Sequence, residues 1–276
     1  MSSPAFRSSW NTPFEGDLSG ELELALRLAD SADEIAMARF DAPDLDVRAK
    51  ADASPVTEAD LATERAIRDM LAEERPSDGV FGEEFGSSGD TGRQWIIDPI
   101  DGTANYLKGI PMWTTLIALA IEGVPRVGVA SQPALGRRWW AASGLGSWTN
   151  TPSGAPRRLA VSRIPDIAAS SVSFQSIAQW DEAGHTDALL RLSRAVWRDR
   201  GYGDTWPYML LAEGRLECVA EFGVQEYDIA ALVPIIREAG GTFTDFDGHE
   251  SVSSRSSLAT NGVLHESFLS LLHSPS

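Results

Sequence analysis

The chain reads as an α/β (α+β) protein on two observations. Between residues 112 and 142, short apolar runs are separated by Gly/Pro turns at Glu122-Gly-Val-Pro125 and Pro133-Ala-Leu-Gly136, the pattern of an antiparallel meander. From residue 169 onward, strand-like and helix-like segments alternate, which argues strands covered by helices. With 276 residues, 43% of them apolar, the chain suits one large domain or two intimately packed halves.

Residues 1–17 lack periodicity and read as a flexible tail. Leu22, Ala25, Ala29, Ala32 and Ala36 recur at helical steps and predict a helix from Ser19 to Phe40, stopped by Pro43. A strand is expected over Leu45 to Lys50. Thr57 and Asp60 form a capping box that opens a helix running to Glu74. Strands are predicted at 79–82, 94–97, 112–121, 126–132 and 138–142. Asn150 to Arg157 reads as a linker, placing an N-terminal half at 18–155 and a C-terminal half at 156–276. In the second half, strands are expected at 169–174, 195–199, 216–221, 242–245 and 257–260. Helices are expected at 185–194, 204–212, 226–239 and from Val263 to the end. Pro234 should kink the third helix of that half, and Gly240-Gly241 should end it. Asp245-Phe-Asp-Gly248 reads as a hairpin turn. Trp139, Trp140 and Trp148 read as core or subunit-contact residues.

The chemistry concentrates at Trp95-Ile-Ile-Asp-Pro-Ile-Asp-Gly-Thr103, an apolar strand end followed by two carboxylates, a glycine and a hydroxyl. Hard divalent cations favour such oxygens, and phosphate favours free backbone N–H groups. Taken alone, the stretch reads equally well as an Asx-type turn. The five acids and single base between Glu83 and Asp101 weigh toward metal, since converging carboxylates cannot all stay ionised without a cation.

Gly82-Glu83-Glu84, Asp98-Pro-Ile-Asp-Gly-Thr103 and Tyr227-Asp228-Ile-Ala-Ala, ending in Glu238-Ala-Gly-Gly241, resemble the ordered signatures of the inositol monophosphatase family over residues 20 to 270. Within the family, Arg200-Gly-Tyr-Gly-Asp204 is most similar to the histidinol-phosphate phosphatases of actinobacterial type. The resemblance implies a layered αβαβα sandwich and a homodimer. It implies two or three Mg²⁺ held by Glu83, Asp98, the Ile100 carbonyl, Asp101 and Asp228. Glu83 and Thr103 would orient the attacking water, with Asp60 behind Thr103 in addition to its cap. The Gly102 and Thr103 N–H groups would bind phosphate, and Arg200, Asp204 and Glu221 would surround the leaving group. Asp204 and Glu221 suit an amine or imidazolium, which makes L-histidinol phosphate the expected substrate. Inositol 1-phosphate or fructose 1,6-bisphosphate is the alternative, and a non-catalytic metal- or anion-binding regulator is the alternative of a different class. Asp204 reads equally as a cap of the helix after it, and Tyr202 or Trp206 as core or as an imidazole platform.

Composition excludes other classes. The net charge of −17 opposes a nucleic-acid partner. No run of 18 apolar residues predicts a membrane span, and no secretory signal is read at the N-terminus. The single Cys218 reads as a buried strand residue in a reducing cytoplasm. The four histidines lack metal-ligand spacing and read as surface or loop residues. Serine-nucleophile, Walker A and dinucleotide motifs are not found.

Overall fold

A computed structural model describes residue 10, residues 12–49 and residues 55–274. Helix α1 (Ser19–Arg39) leads into the hairpin of β1 (Val47–Ala49) and β2 (Pro55–Thr57), and Thr57 caps α2 (Glu58–Glu74). The expected Lys50 end of the first strand lies outside the described residues. Then come β3 (Gly79–Gly82), β4 (Gly86–Ser88), β5 (Arg93–Asp101) and the short α3 (Thr103–Leu107). The meander follows as β6 (Thr114–Ile121), β7 (Val124–Gln132), β8 (Arg137–Ala142), β9 (Gly146–Thr149) and β10 (Arg157–Arg158). These strands form one sheet in the order β10-β9-β8-β7-β6-β5-β3-β4, antiparallel except for the parallel β3–β5 pair. Residues 150–157, read as a linker, make the β9–β10 turn and enter β10, so the chain leaves this sheet only after Arg158.

The second sheet gathers β11 (Ser171–Ser173), β12 (Arg198–Arg200), β13 (Cys218–Phe222), β14 (Thr242–Thr244) and β15 (Ser256–Thr260) in the order β12-β11-β13-β15-β14. Its helices are α4 (Ile177–Glu182), α5 (Thr186–Ala195), α6 (Trp206–Ala212), α7 (Glu226–Ile229), α8 (Leu232–Glu238) and α9 (His265–Leu272). Three apolar clusters define the layers. Leu24, Leu28, Ile67 and Leu71 of α1 and α2 pack on Trp95, Ile97, Ile117 and Leu119 of the large sheet. The other face of that sheet meets α6 and α8 through Met209, Leu232 and Ile236, which also touch Val219 and Ala259 of the small sheet. Leu189, Leu192 and Phe268 of α5 and α9 cover the outer face of the small sheet over Cys218 and Leu258. The protein is therefore an αβαβα sandwich. Each fully buried Leu, Ile or Phe contributes about 1.5–3 kcal/mol.

Several expectations change. The single kinked helix over 226–239 is two helices, because the Pro234 ring opposes the carbonyl four residues earlier and the chain breaks at Ala230-Ala231. That break lies against β7, where a Cβ on Gly128 would sit 2.1 Å from the Ala231 carbonyl oxygen. The strand expected from Ala195 begins at Arg198, since Ala195 completes α5. His265 is not a surface residue; it is buried between Thr244 and Thr260, with ring nitrogens 3.2 and 3.0 Å from their hydroxyls. In the segment read as a tail, Trp10 is buried beside Phe243 and its N–H donates to Glu250 at 2.7 Å, while the Thr12 carbonyl accepts from Arg126. Trp139 is core, and Trp206 packs edge-on against it at 6.0 Å, which removes Trp206 as an imidazole platform. Asp245 to Gly248 turn around the Asp245 carboxylate, which accepts N–H bonds from Asp247 and His249.

Candidate active site

Strands β3 and β5 run parallel with Gly82 opposite Ile97, so the residues that follow each strand emerge side by side. Glu83 thereby meets Asp98, and its N–H donates to the Ile97 carbonyl at 3.2 Å. Asp98 and Asp101 are three apart, a spacing that puts side chains on opposite faces of a regular strand. A register shift against β6 between them re-aims the strand end, and the Asp98 carboxylate accepts the Ile100 N–H at 3.0 Å inside that irregularity. Gly102 follows at φ +85°, a left-handed position suited to glycine. Helix α7 brings in Asp228, with Tyr227 against Phe81 of β3 at 5.9 Å. Oxygens of Asp98, Asp101 and Asp228 lie within 4.8 Å of one another.

No lysine or arginine makes an ion pair with these three among the described residues. Burial raises the Asp98 carboxyl well above the usual range, and Glu83, Asp101 and Asp228 raise it further. Burial, then Asp204 and Asp228, do the same to Asp101. Asp228 is pushed up to about 7, chiefly by burial. An all-oxygen set of mutually repelling carboxylates, one buried and two half-buried, without a basic ion-pair partner among the described residues fits a hard divalent cation. The expected ligands Glu83, Asp98, Asp101 and Asp228 thus converge, and the Ile100 carbonyl lies between the two β5 acids.

The supporting groups carry double duty. Asp60 is fully buried and closes the capping box, its Oδ2 accepting the Thr57 N–H at 2.8 Å and the Thr57 hydroxyl at 2.6 Å. Its Oδ1 accepts from the Thr103 hydroxyl at 3.4 Å, which also reaches the Ile100 carbonyl at 3.0 Å. Asp228 likewise closes a capping box, accepting the Gln225 N–H at 2.8 Å.

A small cleft beside the acids is lined by Asp101, Gln175, Asp204, Tyr208, Glu221 and Asp228. Asp204 does not cap α6. It sits at φ +52°, and its carboxylate accepts from Asn105 at 2.9 Å and from Gln175 at 3.4 Å. Glu221 is buried, with Oε2 accepting from Tyr208 at 2.9 Å and Oε1 without a partner among the described residues. Burial foremost pushes its carboxyl up to about 8. Arg200 does not line the cleft: it is exposed, and its Nη1 donates to the Asp199 carbonyl. Tyr202 packs at the edge of the central core, its N–H donating to Ser173.

Sequence reasoning missed Thr205, whose N–H and hydroxyl hold Asp101 Oδ2 at 2.8 and 2.5 Å. It also missed Asn105 and Gln175, which hold Asp204. The adjacency of Thr205 to Asp204 was the only signal for it, and nothing local marks Asn105 or Gln175.

A layered sandwich that gathers acids from the ends of two parallel strands and from α7 is suited to a metal-dependent phosphatase. A family model for the inositol monophosphatase family matches residues 17–275, and the chain belongs to that family. It is 48% identical over 254 residues to a histidinol-phosphatase of Mycobacterium tuberculosis, covering 92% of this chain and 98% of that protein. It is also 48% identical over 261 residues to a histidinol-phosphatase of Streptomyces coelicolor, covering 93% and 98%. Among solved structures, an inositol monophosphatase from Zymomonas mobilis superposes with a TM-score of 0.82 at 33% identity, covering 94% of this chain and 100% of that one. No helix among the described residues is long and apolar enough to cross a membrane.

Proposed function

We propose that the protein is a Mg²⁺-dependent hydrolase of L-histidinol phosphate, releasing L-histidinol and inorganic phosphate. The observation that carries the reading is the convergence of Asp98, Asp101 and Asp228, whose oxygens lie within 4.8 Å of one another, beside a cleft with two further acids. Glu83, Asp98, Asp101, Asp228 and the Ile100 carbonyl would hold two or three Mg²⁺. Bound Mg²⁺ supplies Lewis acidity toward the phosphoryl oxygens and acidifies a coordinated water.

The remaining work falls to the chain. Glu83 and the Thr103 hydroxyl orient the attacking water, and Asp60 fixes the rotamer of Thr103. The Gly102 and Thr103 N–H groups face the phosphate. Water adds to phosphorus, the ester oxygen leaves with the histidinol, and the proton given up by the water ends on that oxygen. Asp204 and the free Oε1 of Glu221 receive the ammonium or imidazolium of the leaving group. Inositol offers only hydroxyls and would leave the Glu221 carboxyl buried without a charged partner. The family relationship and the reduced, buried Cys218 support a cytoplasmic homodimer, which sedimentation and fractionation test.

Phosphate release with Mg²⁺ from histidinol phosphate, inositol 1-phosphate and fructose 1,6-bisphosphate tests the assignment. The expected result is a preference for histidinol phosphate of at least ~100-fold in kcat/KM, in line with a site whose buried polar groups need their partners. A preference for an inositol or sugar ester would overturn the substrate and leave the phosphatase reading standing.

A further inference from the structure

Glu64, on the face of α2 opposite the turn between β3 and β4, is fully buried and takes no direct part in the site described above. Its Oε2 accepts the Glu84 N–H at 2.7 Å, and its Oε1 accepts the Phe85 N–H at 3.2 Å. Arg68, one helical turn on, donates its Nε to Glu64 Oε1 at 2.7 Å. The same guanidinium donates to the Gly86 carbonyl and, at 3.2 Å, to the Ser88 hydroxyl. Gly82 makes room for this arrangement, because a Cβ there would lie 2.0 Å from Glu64 Oε1. A fully buried carboxylate is tolerated only when paired and hydrogen-bonded, and every one of these partners except Arg68 belongs to a single turn.

That turn carries Glu83. On its N-terminal side, Glu83 is tied to β5 through its own N–H; on its C-terminal side, the next two N–H groups are tied to α2 through Glu64. A three-residue connection between strands would otherwise place Glu83 with the freedom of a surface hairpin.

We propose that Glu64 and Arg68 form a positioning pair that fixes the Glu83-Glu84-Phe85 turn and thereby sets the affinity of the acidic site for its divalent cation. The inference rests on reading that site as a metal centre. Neither residue belongs to the acidic cluster or lines the cleft beside it. Their contribution is to hold Glu83 within reach of Asp98 before the cation arrives, so that binding does not have to order the turn.

Mn²⁺ binding by calorimetry, metal-free melting temperature, and hydrogen exchange at the Glu84 and Phe85 amides test the proposal on the purified full chain. Glu64→Gln offers an N–H₂ group where one backbone N–H expects an acceptor. It is expected to weaken Mn²⁺ binding at least tenfold and to speed exchange of both amides at least tenfold. Leu192→Ala, in the outer layer far from the turn, serves as a control that lowers the melting temperature with Mn²⁺ affinity unchanged. Arg68→Met keeps the stem and loses the fork, and is expected to weaken Mn²⁺ binding at least threefold should Glu64→Gln not fold. Wild-type affinity in folded variants with faster exchange at the turn would overturn the proposal, as would loss of affinity in the Leu192→Ala control. Failure of the wild-type protein to bind Mn²⁺ would instead overturn the metal-centre reading itself.

Discussion

Replacing Asp98 by Asn is expected to make the metal-free protein more stable and the enzyme almost inert. Oxygens of Asp98, Asp101 and Asp228 lie at most 4.8 Å apart. At that separation and an effective dielectric near 20, two ionised carboxylates repel by about 3.5 kcal/mol. Protons shared by the cluster at neutral pH remove part of this, since Asp228 is pushed up to about 7. A net gain of about 2 kcal/mol remains, which for a chain of this size raises the melting temperature by about 4–8 °C. The same substitution removes an acid that lies beside both Asp101 of β5 and Asp228 of α7, and turnover should fall at least ~100-fold. Calorimetry in a chelator and phosphate release with Mg²⁺ read the two effects on one preparation. Mg²⁺ should raise the melting temperature of the wild type and scarcely that of the variant. A variant that melts below the wild type without metal would refute the repulsion argument, and one that turns over normally would refute the central place given to Asp98 in the reaction.

Other outcomes follow from single observations. Glu221 and Asp228 are pushed up to about 8 and about 7, from ordinary values of 4.5 and 3.8. The folded state therefore binds more protons than the unfolded chain between about pH 4 and 8. The metal-free melting temperature should fall as pH rises through that window and should flatten in saturating Mg²⁺, as calorimetry across pH would show. Asp204→Asn should raise KM for histidinol phosphate about tenfold while KM for inositol 1-phosphate stays within about twofold, since only the former carries a cation. Gly128→Ala should lower stability by about 2–3 kcal/mol in urea unfolding, because its Cβ would lie 2.1 Å from the Ala231 carbonyl oxygen.

The converging acids were legible in the sequence because they sit in short local motifs beside apolar strand ends. What it left open was which way they face. A three-residue spacing between Asp98 and Asp101 argues for opposite faces until the irregularity against β6 is seen, and no local pattern announces it. Thr205 and Asn105 were invisible for another reason: each acts across about a hundred residues of sequence, on Asp101 and Asp204 respectively. A still longer separation hid the fate of Trp10, whose burial against Phe243 depends on packing that no window near residue 10 contains. Arg200 shows the opposite failure. Its place in a motif suggested a substrate contact, yet β12 is an edge strand and its side chain turns outward.

Not every acid at the site should respond to neutralisation as Asp98 does, and the contrast follows from hydrogen bonds. Asp98 accepts one local N–H, from Ile100, and an asparagine oxygen can keep it. Asp60 uses both oxygens: Oδ2 takes the Thr57 N–H and hydroxyl, and Oδ1 takes the Thr103 hydroxyl. An asparagine there has one acceptor oxygen and must turn its N–H₂ toward a group that was donating. Burial also raises the Asp60 carboxyl, but the Thr57 bonds oppose that shift more than Glu83 adds to it. Asp60→Asn should therefore lose about 1 kcal/mol of metal-free stability where Asp98→Asn gains, with activity falling in both. Melting the two variants side by side in chelator reads opposite signs from the same chemical change. Equal signs would mean that shared repulsion, rather than each acid's own hydrogen bonds, governs how the site is held.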